Sequence, residues 1–268
     1  MTRPRLIATD LDGTFLTSMK EVSPTNLAAA RRAAALGVPF VVATGRPVRW
    51  LDVLDSLTEA HSQVIVSNGA AVYDLATRTI ARSFPLDTRI ALAVADELRL
   101  AIPGITFGFE TASGFGCEPD SPSRQRGAPG VTQAPIAELA AQLGPVIKLL
   151  GFHQELDSDA LSDLACTVVG DRLTVTHAFL GEAYGMLELT APGVTKATTL
   201  ALVCAELGVA PADVVAFGDM PNDLAMLAWA GRGYVVENGH RTLKEAGFTV
   251  VPANDADGVG HTVLDLLR

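Results

Sequence analysis

Asp10 and Asp12 stand one residue apart in Asp10-Leu11-Asp12-Gly13-Thr14, directly after the apolar run Leu6-Ile7-Ala8-Thr9. Side chains at i and i+2 leaving a strand point to the same side, so the spacing predicts two carboxylates facing one small volume. Like charges that close are unfavourable unless a cation or a shared proton relieves them. A hard divalent cation with oxygen ligands, such as magnesium, does so. Gly13 lets the backbone turn sharply after the pair. The same residues also suit a strand-end turn with capping acids, because Asp and Gly are common there.

A second acidic pair, Asp219 and Asp223, lies in Gly218-Asp219-Met220-Pro221-Asn222-Asp223, again after an apolar run. Four residues apart, the two would share a helix face. Asp and Asn also suit helix N-termini simply as caps. Lys196 follows Gly193-Val194-Thr195 in the first turn of an expected helix, where a positive charge opposes the helix dipole. There a lysine can hold a phosphate oxygen or restrain a carboxylate, or it can simply be solvated. Thr44-Gly45-Arg46 offers a hydroxyl, a glycine for close approach and a cation ahead of another helix start. That combination suits an anion, and it equally suits an ordinary βα turn.

These residues need elements that carry them to one place. Residues 6–9, 38–43 and 64–66 read as short buried strands, separated by helices over 24–35 and 48–57. Continuous apolar runs of this kind belong to a parallel sheet covered on both faces. A hairpin is expected over 71–81. Residues 84–186 then mix helical periodicity over 86–102 with strands at 105–109, 146–150 and 173–176. A Pro, Gly, Ser and Arg-rich loop spans 121–130. From 187 the parallel rhythm returns: helix 195–207, strand 214–217, helix 222–229, strand 233–236 and helix 259–267. The expected fold is α/β: a doubly wound, Rossmann-like parallel-sheet core over 1–83 and 187–268, with an α+β cap domain inserted over 84–186. Ligands of such sheets bind beyond the carboxyl ends of the strands. Asp10, Asp12, Thr44, Asn68, Asp219 and Asp223 all fall at those ends.

Composition narrows the class. The chain has 268 residues, 49% apolar, with a formal charge of −10, so a nucleic acid or an anionic membrane is not expected as the main partner. No apolar run approaches the ~20 residues of a bilayer span. The opening residues run straight into the first strand, with no signal peptide expected. Cys117, Cys166 and Cys204 are isolated and suggest neither metal spacing nor a disulfide framework, which points to a reducing cytoplasm.

Taken in order, Asp10-Leu11-Asp12-Gly13-Thr14, Thr44 within Ala43-Thr44-Gly45-Arg46, Lys196 within Gly193-Val194-Thr195-Lys196, and Gly218-Asp219 through Asn222-Asp223 resemble the four motifs of the haloacid dehalogenase superfamily of phosphotransferases. Ser67-Asn68-Gly69-Ala70 and Asp257-Gly258-Val259 are similar to its Cof-like branch, whose cap is inserted between the second and third motifs. The resemblance implies a phosphatase with Asp10 as nucleophile, Asp12 as general acid/base and Lys196 in the catalytic set. It implies magnesium bound by Asp10, the Asp12 backbone carbonyl and Asp219, with Asp223 as ligand or support. Leu11, Thr44, Gly45, Arg46 and Asn222 are the implied phosphate or substrate contacts. One departure stands out. The branch often carries Met-Gly-Asn-Ala where this chain reads Val236-Glu237-Asn238-Gly239.

The expected substrate is a small phosphorylated metabolite, with sugar phosphates first, and the expected state is a monomer or homodimer. Two alternatives stay open: a phosphomutase of the same superfamily, and a non-catalytic phosphometabolite-binding protein.

Overall fold

The computed structural model describes residues 3–58, 63–112, 114–177 and 184–268. Among them no helix is long and apolar enough to cross a membrane. The first strands are β1 (Leu6–Thr9) and β2 (Phe40–Ala43), buried at every residue. Helix α1 (Pro24–Ala35) lies between them. Ser23 caps it by accepting the Asn26 N–H at 3.1 Å, and Pro24 takes the first turn, where its missing N–H costs nothing. Next come β3 (Gln63–Val66), β4 (Ala71–Asp74) and β5 (Thr79–Ser83). The helix expected over 48–57 is instead two short 3₁₀ turns, Val48–Trp50 and Asp52–Leu57. Leu51, Leu54 and Leu57 are buried at a spacing of three, the period of a 3₁₀ turn, so packing favours that form.

The chain divides into two compact units. One comprises Pro47–Arg49 and Ser83–Val194. It holds α2 (Thr88–Ala101), β6 (Thr106–Thr111), β7 (Phe115–Cys117), β8 (Val131–Gln133), α3 (Ile136–Gln142), β9 (Val146–His153), α4 (Ser158–Val169), β10 (Thr174–His177) and β11 (Gly185–Thr190). Its six-stranded sheet has the order β10-β11-β9-β6-β7-β8, antiparallel except for the β7–β8 pair. The core of this unit packs Val94, Leu98, Leu139 and Leu161 of the helices on Phe107, Phe109, Leu149, Leu187 and Leu189 of the strands. The expected boundary at 187 falls inside β11. Leu187 and Leu189 belong to this core, and Leu189 pairs with Leu149, so the unit runs on to Val194.

The other unit comprises Met1–Arg46, Trp50–Arg82 and Thr195–Arg268. Its later elements are α5 (Lys196–Glu206), β12 (Val214–Gly218), α6 (Leu224–Trp229), β13 (Arg232–Val236), α7 (Arg241–Glu245), β14 (Thr249–Val251) and α8 (Gly258–Leu266). The eight-stranded sheet has the order β14-β13-β12-β1-β2-β3-β4-β5. From β14 across to β3 neighbouring strands are parallel, and β4 turns antiparallel to β3. The chain winds outward from β1 in both directions. This is the expected doubly wound sheet, and β1 and β12 flank its switch point.

One apolar cluster joins Leu6, Ala8, Val41, Ile65 and Ala216 of the strands to Leu200, Val203, Met226 and Leu243 of α5, α6 and α7. Elsewhere in this unit α1 packs on α8, and Phe15 meets Phe40 with ring centroids 5.2 Å apart. At the α1–α8 crossing a Cβ on Gly260 would lie 2.5 Å from Asn26 Oδ1. Instead the Gly260 N–H donates to that oxygen at 2.8 Å.

Candidate active site

Strands β1, β2, β3 and β12 each deliver a polar residue where the ladder stops. Asp10 follows β1, and its N–H still donates to Phe217 O of β12 at 2.9 Å. Leu11–Phe15 then coils into one wide turn, closed by the Leu16 N–H on Leu11 O at 2.9 Å. Gly13 takes φ +80° there, and a Cβ on it would lie 2.4 Å from Asp219 Oδ2. Thr44 follows β2, with its N–H on Ile65 O at 2.8 Å. After β3 the residues Ser67, Asn68 and Gly69 all have positive φ. Asp219 follows β12, where Gly218 leaves room for Asp223: a Cβ on Gly218 would come within 2.5 Å of the Asp223 Cβ.

The helix expected over 222–229 begins as a 3₁₀ turn, Pro221–Asp223, before α6. The Asp223 carboxylate folds back to accept the Asp219 and Met220 N–H groups, both at 3.1 Å. Asp219 and Asp223 are therefore joined by a turn rather than by a shared helix face.

Lys196 connects these ends. It is the first residue of α5, behind a reciprocal Thr195–Thr198 capping box. Its side chain is buried. Nζ donates to Asp10 Oδ1 at 2.6 Å and to Asp223 Oδ1 at 2.7 Å. The helix-dipole penalty expected at this position is offset by the two carboxylates. Burial alone would lower the Lys196 pKa, but Asp10 and Asp223 outweigh it and push it above the usual lysine range. Burial pushes the Asp10 carboxyl well up, Lys196 opposes this, and the charges of Asp223 and Asp219 add to it. Asp219 is pushed up to about 7, first by burial and then by Asp223, against the hydrogen bond from Thr14. That bond, Thr14 Oγ1 to Asp219 Oδ1, measures 2.7 Å.

Asp10, Asp219 and Asp223 can each bring one oxygen within 4.8 Å of the others. The Asp12 side chain is not in this group. Asp10 and Asp12 both keep extended backbone angles, φ −65°, ψ 165° and φ −80°, ψ 120°, and it is their partners that differ. Asp12 faces different cations. Arg46 Nε donates to its Oδ2 at 2.6 Å, Arg46 Nη2 to its Oδ1 at 2.7 Å, and Lys20 Nζ to Oδ1 at 3.0 Å. Partial burial works to raise the Asp12 carboxyl, but Arg46 and then Lys20 prevail and hold it below the usual carboxylate range.

The remaining expected contacts lie on the same rim. The buried Thr44 hydroxyl accepts the Arg46 N–H at 3.1 Å. The Asn68 N–H donates to Thr44 O at 3.0 Å, and Asn68 Oδ1 accepts from Asn222 Nδ2 at 3.2 Å. Asn222 Oδ1 is buried without a hydrogen-bond partner, as a group awaiting a ligand or water would be. A Cβ on Gly45 would meet Asn68 Oδ1 at 3.1 Å. The Leu11 side chain is fully buried apolar core, so only its backbone is left for a polar contact.

Three partners were not singled out from sequence: Thr14 on Asp219, Lys20 on Asp12, and Asn238, whose Nδ2 donates to Gly13 O at 2.7 Å. Thr14 lay within the quoted first motif. Nothing in the local sequence around Lys20 or Asn238 points to their partners. Glu237, the departure noted above, is exposed.

The donor set suits a hard cation. With all three carboxylates ionised, three buried negative charges face one ammonium. The remaining charge of two, carried on oxygen ligands alone, matches a divalent ion such as Mg²⁺.

A family model described as haloacid dehalogenase-like hydrolase matches residues 7–263. The 5-amino-6-(5-phospho-D-ribitylamino)uracil phosphatase YitU of Bacillus subtilis (strain 168) is 27% identical over 271 residues, covering 97% of this chain and 96% of that protein. The pyridoxal phosphate phosphatase YbhA of Escherichia coli (strain K12) is 27% identical over 275 residues, covering 97% of each. Among solved structures, BT1666 from Bacteroides thetaiotaomicron, of the haloalkanoate (HAD) superfamily, superposes with a TM-score of 0.82 at 21% identity, covering 98% of this chain and 95% of that one.

Proposed function

The chain belongs to the haloacid dehalogenase-like hydrolases, and from that premise we propose that it is a magnesium-dependent phosphatase in which Asp10 attacks phosphorus and Asp12 moves the proton. The observation that carries this reading is the buried ammonium of Lys196, shared between Asp10 and Asp223 beside Asp219. A buried carboxylate normally escapes its charge by taking up a proton. Lys196 favours the ionised form of Asp10, the form a nucleophile requires, and its contact to Oδ1 leaves Oδ2 to attack.

Asp10, Asp219 and Asp223, with the Asp12 backbone carbonyl, would hold the cation, which supplies positive charge to the phosphoryl oxygens. In the first displacement an Asp10 oxygen bonds to phosphorus, the bond to the leaving oxygen breaks, and Asp12 gives that oxygen its proton. In the second, water attacks the aspartyl phosphate. Asp12 takes the water proton, inorganic phosphate leaves, and the Asp10 carboxylate returns. Arg46 and Lys20 favour the ionised Asp12 that the second step needs. A phosphoryl dianion arriving beside Asp12 would raise its proton affinity for the first. Thr44, the backbone N–H groups of Leu11 and Gly45, and the Asn222 amide would hold phosphoryl oxygens.

The substrate is a small phosphorylated metabolite, with sugar phosphates the first class to test. Two relatives named for ribitylamino-uracil and pyridoxal phosphates support small monoesters in general. The test is phosphate release by the pure protein from p-nitrophenyl phosphate and a panel of sugar phosphates, with Mg²⁺ and with EDTA. Turnover that needs Mg²⁺ is expected. No turnover, or turnover indifferent to EDTA, overturns the reading.

A further inference from the structure

The sequence offers Arg46 as a phosphate contact, but three of its five guanidinium donors are committed elsewhere. The guanidinium presents Nε–H and one Nη2–H along a single edge, and both point at Asp12, at 2.6 and 2.7 Å. Nη1 donates to Trp50 O at 3.0 Å. Two parallel bonds along one edge are the strong, direction-fixing mode of arginine, and Asp12 holds that edge here. The backbone of Arg46 is fastened as well. Its N–H donates to Thr44 Oγ1 at 3.1 Å, and its carbonyl accepts the Ser67 N–H at 3.0 Å. Lys20 adds a third donor to the Asp12 carboxylate at 3.0 Å.

We propose that Arg46, assisted by Lys20, is a positioning residue that aims the Asp12 carboxylate at the leaving oxygen, and is not a ligand of the transferred phosphate. Asp12 needs such a device. Its carboxylate is not among the clustered three of Asp10, Asp219 and Asp223, and its side chain is partly exposed. Unrestrained, the carboxylate could rotate toward solvent. A misplacement of 1 Å at a reacting group can cost about 10²-fold in rate. The two-point contact fixes the plane of the carboxylate as well as its distance. A lysine at position 46 supplies charge without that plane.

The inference rests on Asp12 being the acid/base, and the test separates the two claims. Asp12→Asn, Arg46→Lys and Arg46→Met are assayed on p-nitrophenyl phosphate and on phenyl phosphate. The two substrates are nearly the same shape. Phenol, with a pKa of about 10 like tyrosine, needs a proton as it leaves, whereas p-nitrophenolate does not. Arg46→Lys should lower kcat/KM, which reports the first displacement, on phenyl phosphate by about 10–100-fold, a fraction of the usual contribution of general acid catalysis, and lower it several-fold less on p-nitrophenyl phosphate. Inhibition by inorganic phosphate should stay within about twofold, since no phosphate contact is removed.

Equal losses of kcat/KM on both substrates, with the phosphate inhibition constant rising, would mean that Arg46 binds phosphate and would overturn the proposal. Equal losses of kcat/KM on the two substrates in Asp12→Asn would sink the assignment of Asp12 as the acid of the first displacement. Selective loss in Asp12→Asn without selective loss in either Arg46 variant would refute the Arg46 role alone. If Arg46→Lys does not fold, Arg46→Met, which keeps the stem and drops the charge, carries the same comparison.

Discussion

Lys196 Nζ donates to Asp10 Oδ1 at 2.6 Å, across 186 positions of sequence. The same ammonium reaches Asp223 at 2.7 Å, so one cation ties the end of β1 to the turn after β12. All three side chains are buried. An ion pair this deep is costly to assemble and more costly to break, because the surviving partner is left charged without water.

Asp10→Asn should therefore be tolerated by the fold, since it removes a buried negative charge and leaves Lys196 paired with Asp223. Turnover should be lost with the nucleophile. A melting temperature near the parent value together with undetectable phosphate release is the expected pair of results. Retained activity would remove Asp10 from the nucleophile role.

Lys196→Met leaves Asp10 and Asp223 facing each other with no cation. Breaking one side of a buried pair costs about 3–5 kcal/mol. Denaturant unfolding should move by that order, and added Mg²⁺ should recover part of it by supplying positive charge to the same carboxylates. An unchanged midpoint would show that the pair contributes nothing to stability.

The raised carboxyl of Asp219 sets a pH dependence for the metal-free protein. Its folded value, about 7, lies above the unfolded value near 3.9. The folded state therefore binds the proton more tightly, and the cost of the buried charge is fully present above pH 7. Lowering the pH through 7 toward 5 should raise the melting temperature of the EDTA-treated protein, and Asp10, shifted in the same direction, adds to the effect. Saturating Mg²⁺ should flatten this rise, because the cation competes with the proton for the same oxygens. In EDTA, a melting temperature that falls steadily from pH 8 to 5 would contradict the assignment.

Gly13→Ala combines two penalties. An L-residue at φ +80° costs about 1–2 kcal/mol. In addition, the new Cβ would lie 2.4 Å from Asp219 Oδ2 and must displace that carboxylate. The expected outcome is a modest stability loss with a much larger loss of Mg²⁺ response. A Mg²⁺ titration that matches the parent would show that Asp219 can move without consequence.

Much of this was open to a reader of the sequence. Four-residue apolar runs such as Leu6–Thr9 and Phe40–Ala43 mark strands buried on both faces, and the polar residue after each run marks a strand end. The errors share a cause. The helix expected over 48–57 and the boundary expected at 187 both depended on what packs against those residues, and periodicity does not record that. Leu187-Glu188-Leu189-Thr190 alternates like any half-buried strand. Only its pairing with β9 and the burial of Leu187 and Leu189 assign it to the unit of Ser83–Val194.

The acids show the same division. Residue type and order alone determined that Asp10, Lys196, Asp219 and Asp223 are candidates for one chemistry, because each stands where a strand or helix begins or ends. Tertiary structure alone decided how the charges are shared. Spacing in the chain predicted Asp10 beside Asp12. Instead Arg46 and Lys20 take Asp12, and Lys196 takes Asp10. Electrostatic pairing depends on distance through space between groups tens to hundreds of residues apart, and that distance exists only once the sheet has brought its strand ends together.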